Sequence, residues 1–329
     1  MQHLSSAEDF SKKRLTQLSG SLSGAEKFLG SRACVYATGS FGRLEANLHS
    51  DLDLFIVGFD GEAEPQGERK RLFSHLNEIC VQAEIIRAAR ELKLPELDGD
   101  GKYLDYHSVQ GLIDHIGASD DDAKNTLTAR LLLFLESRPL LGHELYDRVI
   151  DHVLRAYWRD FKGHEEEFVP AYLANDILRL WRTFCVNYEA RTQSEPEQKK
   201  IDRKIKNYKL KHSRMITCFS ALAYLLKIYV DEKTVTPDDA IKMTRLTPAR
   251  RITTLADSLT TNDQIKSLMD CYDTFLANAG EGKTRLEERF RDSDSAEKLR
   301  KESQRFGELM FEVLKQIGGE SRFFRLLVV

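Results

Sequence analysis

The sequence predicts an α+β protein, with a small sheet-containing domain over residues 1–118 followed by an all-helical domain over residues 119–329. Three observations carry that prediction. Two apolar runs of strand character, Cys34-Val35-Tyr36-Ala37 and Leu52 to Val57, flank a glycine-rich turn. Apolar residues at helical spacing lie on either side of them. Beyond Ser119-Asp120-Asp121-Asp122 the chain carries only helical periodicity and short connectors.

In chain order, residues 7 to 30 read as a helix, with Phe10, Leu15, Leu18, Leu22 and Phe28 on one face and Gly30-Ser31 at its end. The first strand follows, turns at Gly39-Ser40 into a helix, and the second strand runs to Phe59. The stretch Asp60 to Gly67 is expected as a loop. A helix from Glu68 is expected to cover the sheet with Leu72, Phe73, Leu76, Ile79, Cys80, Ala83 and Ile86. The turn-rich segment Leu94 to Lys102 leads to a short strand, Tyr103 to His107. The helical half opens with the apolar face Leu127, Leu131, Phe134 and Leu135, ended by Pro139. Further helices are expected at residues 143–160, 164–192, 197–230, 236–257, 261–279 and 295–317.

The chemistry concentrates in Thr38-Gly39-Ser40-Phe41-Gly42-Arg43 and Ser50-Asp51-Leu52-Asp53-Leu54. Strand side chains alternate, so Asp51 and Asp53 share one face while Leu52 and Leu54 enter the core. Two carboxylates on one face repel unless a cation sits between them. Mg²⁺ suits such a pair, because it takes oxygen ligands from one or two carboxylates together with substrate phosphates. Backbone N–H groups at the Gly39-Ser40 turn and the Ser40 hydroxyl are suited to phosphate oxygens.

Taken together, these residues resemble the signature of the DNA polymerase β-like nucleotidyltransferase superfamily. Its members include poly(A) polymerases, CCA-adding enzymes, oligoadenylate and cyclic-dinucleotide synthases, protein adenylyl- and uridylyltransferases, antibiotic nucleotidyltransferases and toxin or antitoxin enzymes. The matching residues span positions 36 to 57. The resemblance implies a mixed-sheet nucleotidyltransferase catalytic domain, a helical substrate-binding domain and substrate in the cleft between them. It implies transfer of NMP or dNMP from a nucleoside triphosphate to a hydroxyl acceptor, with release of pyrophosphate and two Mg²⁺ ions, Mn²⁺ being an alternative. Asp51 and Asp53 would hold the metals with a third carboxylate on a neighbouring strand. Asp105 suits that place, with Asp100, Asp98 and Glu96 as rivals. Gly39, Ser40 and Ser50 would bind the nucleotide, and Arg43 would either neutralise phosphate or brace the turn by pairing with a carboxylate. His49 is a loop residue beside this site. The implied product is an oligonucleotide or nucleotide signal of the kind made in bacterial antiviral defence. A protein acceptor and a catalytically silent nucleotide- or partner-binding module are the other readings.

Composition narrows the partners. A net charge of −3 provides no global attraction to nucleic acid. Local charge does: Lys199, Lys200, Arg203, Lys204, Lys206, Lys209, Lys211 and Arg214 stand against one acid, Asp202. Lys209, Lys211 or Arg214 is therefore expected to reach the triphosphate, or the patch to track an oligonucleotide backbone. Trp181 is expected in the core rather than stacked on a base. No apolar run matches a membrane helix, and the N-terminus does not resemble a signal peptide. Five scattered cysteines are expected as reduced core residues of a cytoplasmic protein. The apolar end Arg322 to Val329 suits docking into a core or an oligomer interface. Two motif mimics fail. Ala277 to Thr284 ends like a phosphate loop but begins with Ala277 after a helix, and Asp98 to Tyr103 lacks the glycine of a calcium loop.

Overall fold

The computed structural model describes residues 1–63, 69–95, 97, 104–190, 197–256 and 262–328. The chain forms two compact units, Ser6–Arg159 and Asp160–Val329, the second also taking in Met1–Ser5. The fold class is mixed α+β. The first unit extends past the expected boundary at residue 118, because a later segment completes its sheet.

The first unit opens with α1 (Gln2–Gly20) and α2 (Ser23–Leu29), then β1 (Ala33–Ala37), α3 (Gly39–Arg43) and β2 (Leu54–Gly58). Strand β3 (Asp60–Ala63) stands where a loop is expected, and its antiparallel partner β4 (Arg69–Arg71) takes the place of the first turn of the helix expected from Glu68, which starts instead at His75. Next come α4 (His75–Glu91), β5 (Tyr106–Ser108), α5 (Val109–Asp114), α6 (Asp120–Ala123), α7 (Thr126–Glu136), β6 (Arg138–Leu141) and α8 (His143–Arg155). The four-stranded sheet has the order β5-β2-β1-β6. β1 is antiparallel to both β2 and β6, while β2 and β5 are parallel, so the sheet is mixed. Every residue of β1 and β2 is buried.

Strand β6 was hidden in the sequence by Pro139, which ends a helix on paper but is tolerated in an edge strand. Pro139 pairs opposite Tyr36, where the register shifts. Helix α4 also departs from expectation. Ser74 caps it by accepting the Asn77 N–H, and it buries Glu78, Val81, Ile85 and Ala88. Leu76 and Ile79 are exposed instead, at 74% and 47%. The reason is the Glu78 carboxylate, which accepts from Arg71 at 2.7 Å and from the Tyr106 N–H at 2.9 Å and so holds that face inward. These contacts hold the Glu78 pKa below the usual carboxylate range against the opposing effect of burial.

The second unit is helical: α9 (Ala171–Ala190), α10 (Glu197–Lys209), a π-turn at Leu210–Arg214, α11 (Met215–Glu232), α12 (Pro237–Arg245), α13 (Pro248–Ala256), α14 (Asn262–Gly280), α15 (Lys283–Arg291), α16 (Ser293–Gly318) and α17 (Arg322–Val328). The expected helix over 236–257 is two helices, broken before Pro248, which lacks an amide proton. Helix α15 was not foreseen. Trp181 packs edge-on against Phe219 with ring centroids 5.6 Å apart, and Phe323 of the C-terminal helix is fully buried beside Tyr229. All five cysteines are free thiols. One helical stretch among the described residues, Lys199–Glu232, has the length and apolarity of a candidate membrane span, although 56% of its apolar window is buried inside the protein.

His212 in the π-turn sits in an aromatic box. Its ring stacks on Phe275 at 4.6 Å and lies 4.9 Å from Phe306 and 4.7 Å from Tyr208. Burial pushes its pKa down to about 4. The unfolded chain, titrating near 6.5, therefore binds the proton first. Stability is full above about pH 6.5 and declines as the pH falls towards 4, by roughly 3 kcal/mol. His212→Phe is expected to lose less stability than wild type between pH 7 and 4.5, read from urea midpoints. Equal losses would refute the assignment.

Candidate active site

The site is built where β1 ends. Ala37 pairs with Leu54, and the Thr38 N–H donates to the Asp53 carbonyl at 2.9 Å, so the turn is stitched to the acid-bearing strand. Thr38 then enters α3 as its N-cap with extended backbone, and Gly39 takes φ +62°. An L-residue is strained there. A Cβ on Gly39 would also lie 2.5 Å from Asp53 Oδ2. Gly39 and Asp53, which are separate motifs in the sequence, thus meet directly. The Thr38 hydroxyl oxygen is buried without a hydrogen-bond partner among the described residues.

Helix α3 is a single turn closed by Leu44 in the left-handed region, with the Glu45 N–H donating to the Ser40 carbonyl at 2.7 Å. The chain then crosses a loop held by its own side chains. Ser50 Oγ accepts the Asn47 N–H at 2.9 Å, and Asn47 Oδ1 accepts the His49 N–H at 2.8 Å. Ser50 therefore organises the loop that delivers the acids. From Asp51 onward exposure alternates: Asp51 exposed, Leu52 buried, Asp53 half-buried, Leu54 buried. The two carboxylates share a side as the strand period requires, although regular pairing begins only at Leu54.

Beneath that side lies an aromatic floor. Tyr36 and Phe55 are opposite in register and stack at 5.6 Å, and His107 of β5 lies 5.7 Å from Phe55. Burial lowers the His107 pKa, partly countered by Asp105. Burial raises the Tyr36 phenol well above its ordinary value.

Of the two roles the sequence leaves open to Arg43, phosphate contact and bracing of the turn, bracing is the one seen. Its Nε donates to Glu45 Oε2 and its Nη1 to Glu136 Oε2, both at 2.7 Å, with all three side chains at 7% exposure or less. A guanidinium paired through Nε and Nη1 with two buried carboxylates is held in place as a brace. Gly42 presses on the Glu136 carbonyl, so α3 is clamped to the end of α7 by backbone and side chain alike. Sequence reading missed Glu45 and Glu136 as parts of the site. Glu45 is two residues from Arg43 and was detectable as a local pair, whereas Glu136 is 93 residues away and gave no signal.

Among the described residues, no third carboxylate forms a metal-ligating group with the pair. Asp105 is exposed, one residue before the Tyr106–Ile56 register pair on the strand beside β2. No group of three metal-ligating side chains forms among the described residues. Asp98, Asp100 and Glu96 lie outside the described residues. Lys209 and Lys211 belong to the second unit, at the end of α10 and in the π-turn. The chain, compared with protein-family models, curated proteins and solved structures, matches none of them.

Proposed function

We propose that this protein is a Mg²⁺-dependent nucleotidyltransferase that transfers NMP or dNMP from a nucleoside triphosphate to a hydroxyl acceptor. The observation that carries this reading is the approach of Gly39 to Asp53 Oδ2, closer than any side chain would permit. It sets a phosphate-type turn edge to edge with a carboxylate pair. The donor set fits a hard cation, since Asp51 and Asp53 offer only oxygen and leave the remaining positions for substrate phosphates and water. A bound Mg²⁺ supplies charge neutralisation for the phosphoryl group in flight.

The chain's own residues divide the remaining work. The N–H groups at the start of α3 and the Ser40 hydroxyl hold the triphosphate tail. Asp51 and Asp53 hold the cation, and the Arg43–Glu136 clamp keeps the turn from drifting away from them. The acceptor oxygen bonds to the α-phosphorus as the bond to the β-phosphate oxygen breaks. Pyrophosphate leaves with the electron pair, and the hydroxyl proton passes to solvent.

The test is incubation with each labelled NTP and dNTP plus Mg²⁺, with products resolved by size. Pyrophosphate release is expected from wild type and is expected to fall on the order of a thousandfold, roughly 4 kcal/mol of barrier, in Asp51→Ala/Asp53→Ala. A ladder or a cyclic product identifies a nucleotide acceptor, and label on protein identifies a protein acceptor. Equal signals from wild type and the double variant would overturn the reading.

A further inference from the structure

The basic run between Lys199 and Arg214 is organised by the fold as a surface. Helix α10 turns Ile205 and Tyr208 inward, at 6% and 3% exposure, and the following π-turn buries His212. Lys200, Lys204, Lys206 and Lys209 are consequently exposed. The one acid of the run, Asp202, is met by Lys283 of α15 at 3.2 Å. The acids of α15 are engaged within that helix, Glu287 with Lys283 and Arg291, and Glu288 with Arg285.

The π-turn then widens the surface. π-turns are rare and cluster at functional sites. Here it carries Lys211 and Arg214 against α9, where Arg182 and Lys211 bring positive charge beside Cys185 against the single acid Glu189, and the Arg214 guanidinium stands 5.0 Å over Phe184. From Lys200 to Arg214 the surface is about 20 Å long, enough for several successive phosphates.

We propose that this face of α10 and the π-turn binds the phosphodiester backbone of a nucleic-acid strand without regard to sequence. The charges form an elongated track, and lysines on a helix contact phosphates rather than base edges. A membrane surface is the poorer partner, because an interfacial helix needs an unburied apolar face and the apolar face of α10 is already buried within its own unit. The proposal does not depend on the transferase reading, since its test contains neither triphosphate nor metal.

The experiment is fluorescence anisotropy of the full chain with a labelled single strand of ~20 nucleotides and mixed sequence. With about four phosphates engaged, affinity is expected to fall roughly fiftyfold between about 50 and 200 mM NaCl. Lys200→Glu/Lys204→Glu/Lys211→Glu should weaken binding at least tenfold and flatten the salt dependence. Lys12→Glu/Lys13→Glu on α1 should change neither. If the charge reversal unfolds the protein, the corresponding Lys→Gln triple variant should show the same direction with a smaller effect. Absence of binding at low salt, binding unchanged by the triple substitution, or binding to anionic phospholipid vesicles but not to the strand would overturn the proposal.

Discussion

Gly39→Ala is expected to abolish pyrophosphate release as completely as loss of both acids, by on the order of a thousandfold. The new methyl carbon would sit 2.5 Å from Asp53 Oδ2, a separation at which either the carboxylate must rotate away or the turn must lift. It would also hold an L-residue at φ +62°, at a cost of about 1 to 2 kcal/mol. The β1–β2 pairing is untouched, so the thermal midpoint should fall only by a few degrees while activity disappears. That separation distinguishes a displaced carboxylate from general unfolding. A Gly39→Ala protein with wild-type turnover would show that the Gly39–Asp53 approach has no catalytic meaning.

Arg43→Met is expected to produce a large loss of stability. It removes the guanidinium from between Glu45 and Glu136, which are 1% and 0% exposed, and leaves two carboxylates facing one another in a place built for a cation. Removing one partner from a buried ionic group costs roughly 3 to 5 kcal/mol. Urea unfolding should show this as a lower midpoint with little change in slope. Arg43→Met/Glu136→Gln should recover part of the loss, because it removes one of the stranded charges. If Arg43→Met kept wild-type stability and weakened only nucleotide binding, the phosphate-contact role would be restored.

Local pattern explains most of what could be foreseen. The alternation of Asp51, Leu52, Asp53 and Leu54 depends only on the two-residue strand period, and it holds even before regular pairing begins. Placement of the Gly39 turn after β1 depends on an apolar run meeting a glycine, which is equally local. Helix α4 shows where such reasoning ends. Its periodicity pointed to Leu76 and Ile79, but the Ser74 cap and the buried Glu78 rotate the helix so that these apolar residues face solvent. Strand β6 was unreadable for a related reason. Four residues containing Pro139 look like a helix stop, and only the open edge of β1 makes them a strand.

The sequence by itself determined the α+β class, the turn, the carboxylate pair and the concentration of positive charge from Lys199 to Arg214, because each depends on neighbours a few positions apart. Tertiary structure alone decided that Gly39 touches Asp53, that Arg43 is held by Glu136 from 93 residues away, that the strand after Asp105 pairs with β2, and that the first unit runs to Arg159. Those outcomes depend on which distant segments share the same buried volume. Close packing and charge pairing settle that choice, and no spacing along the chain encodes it.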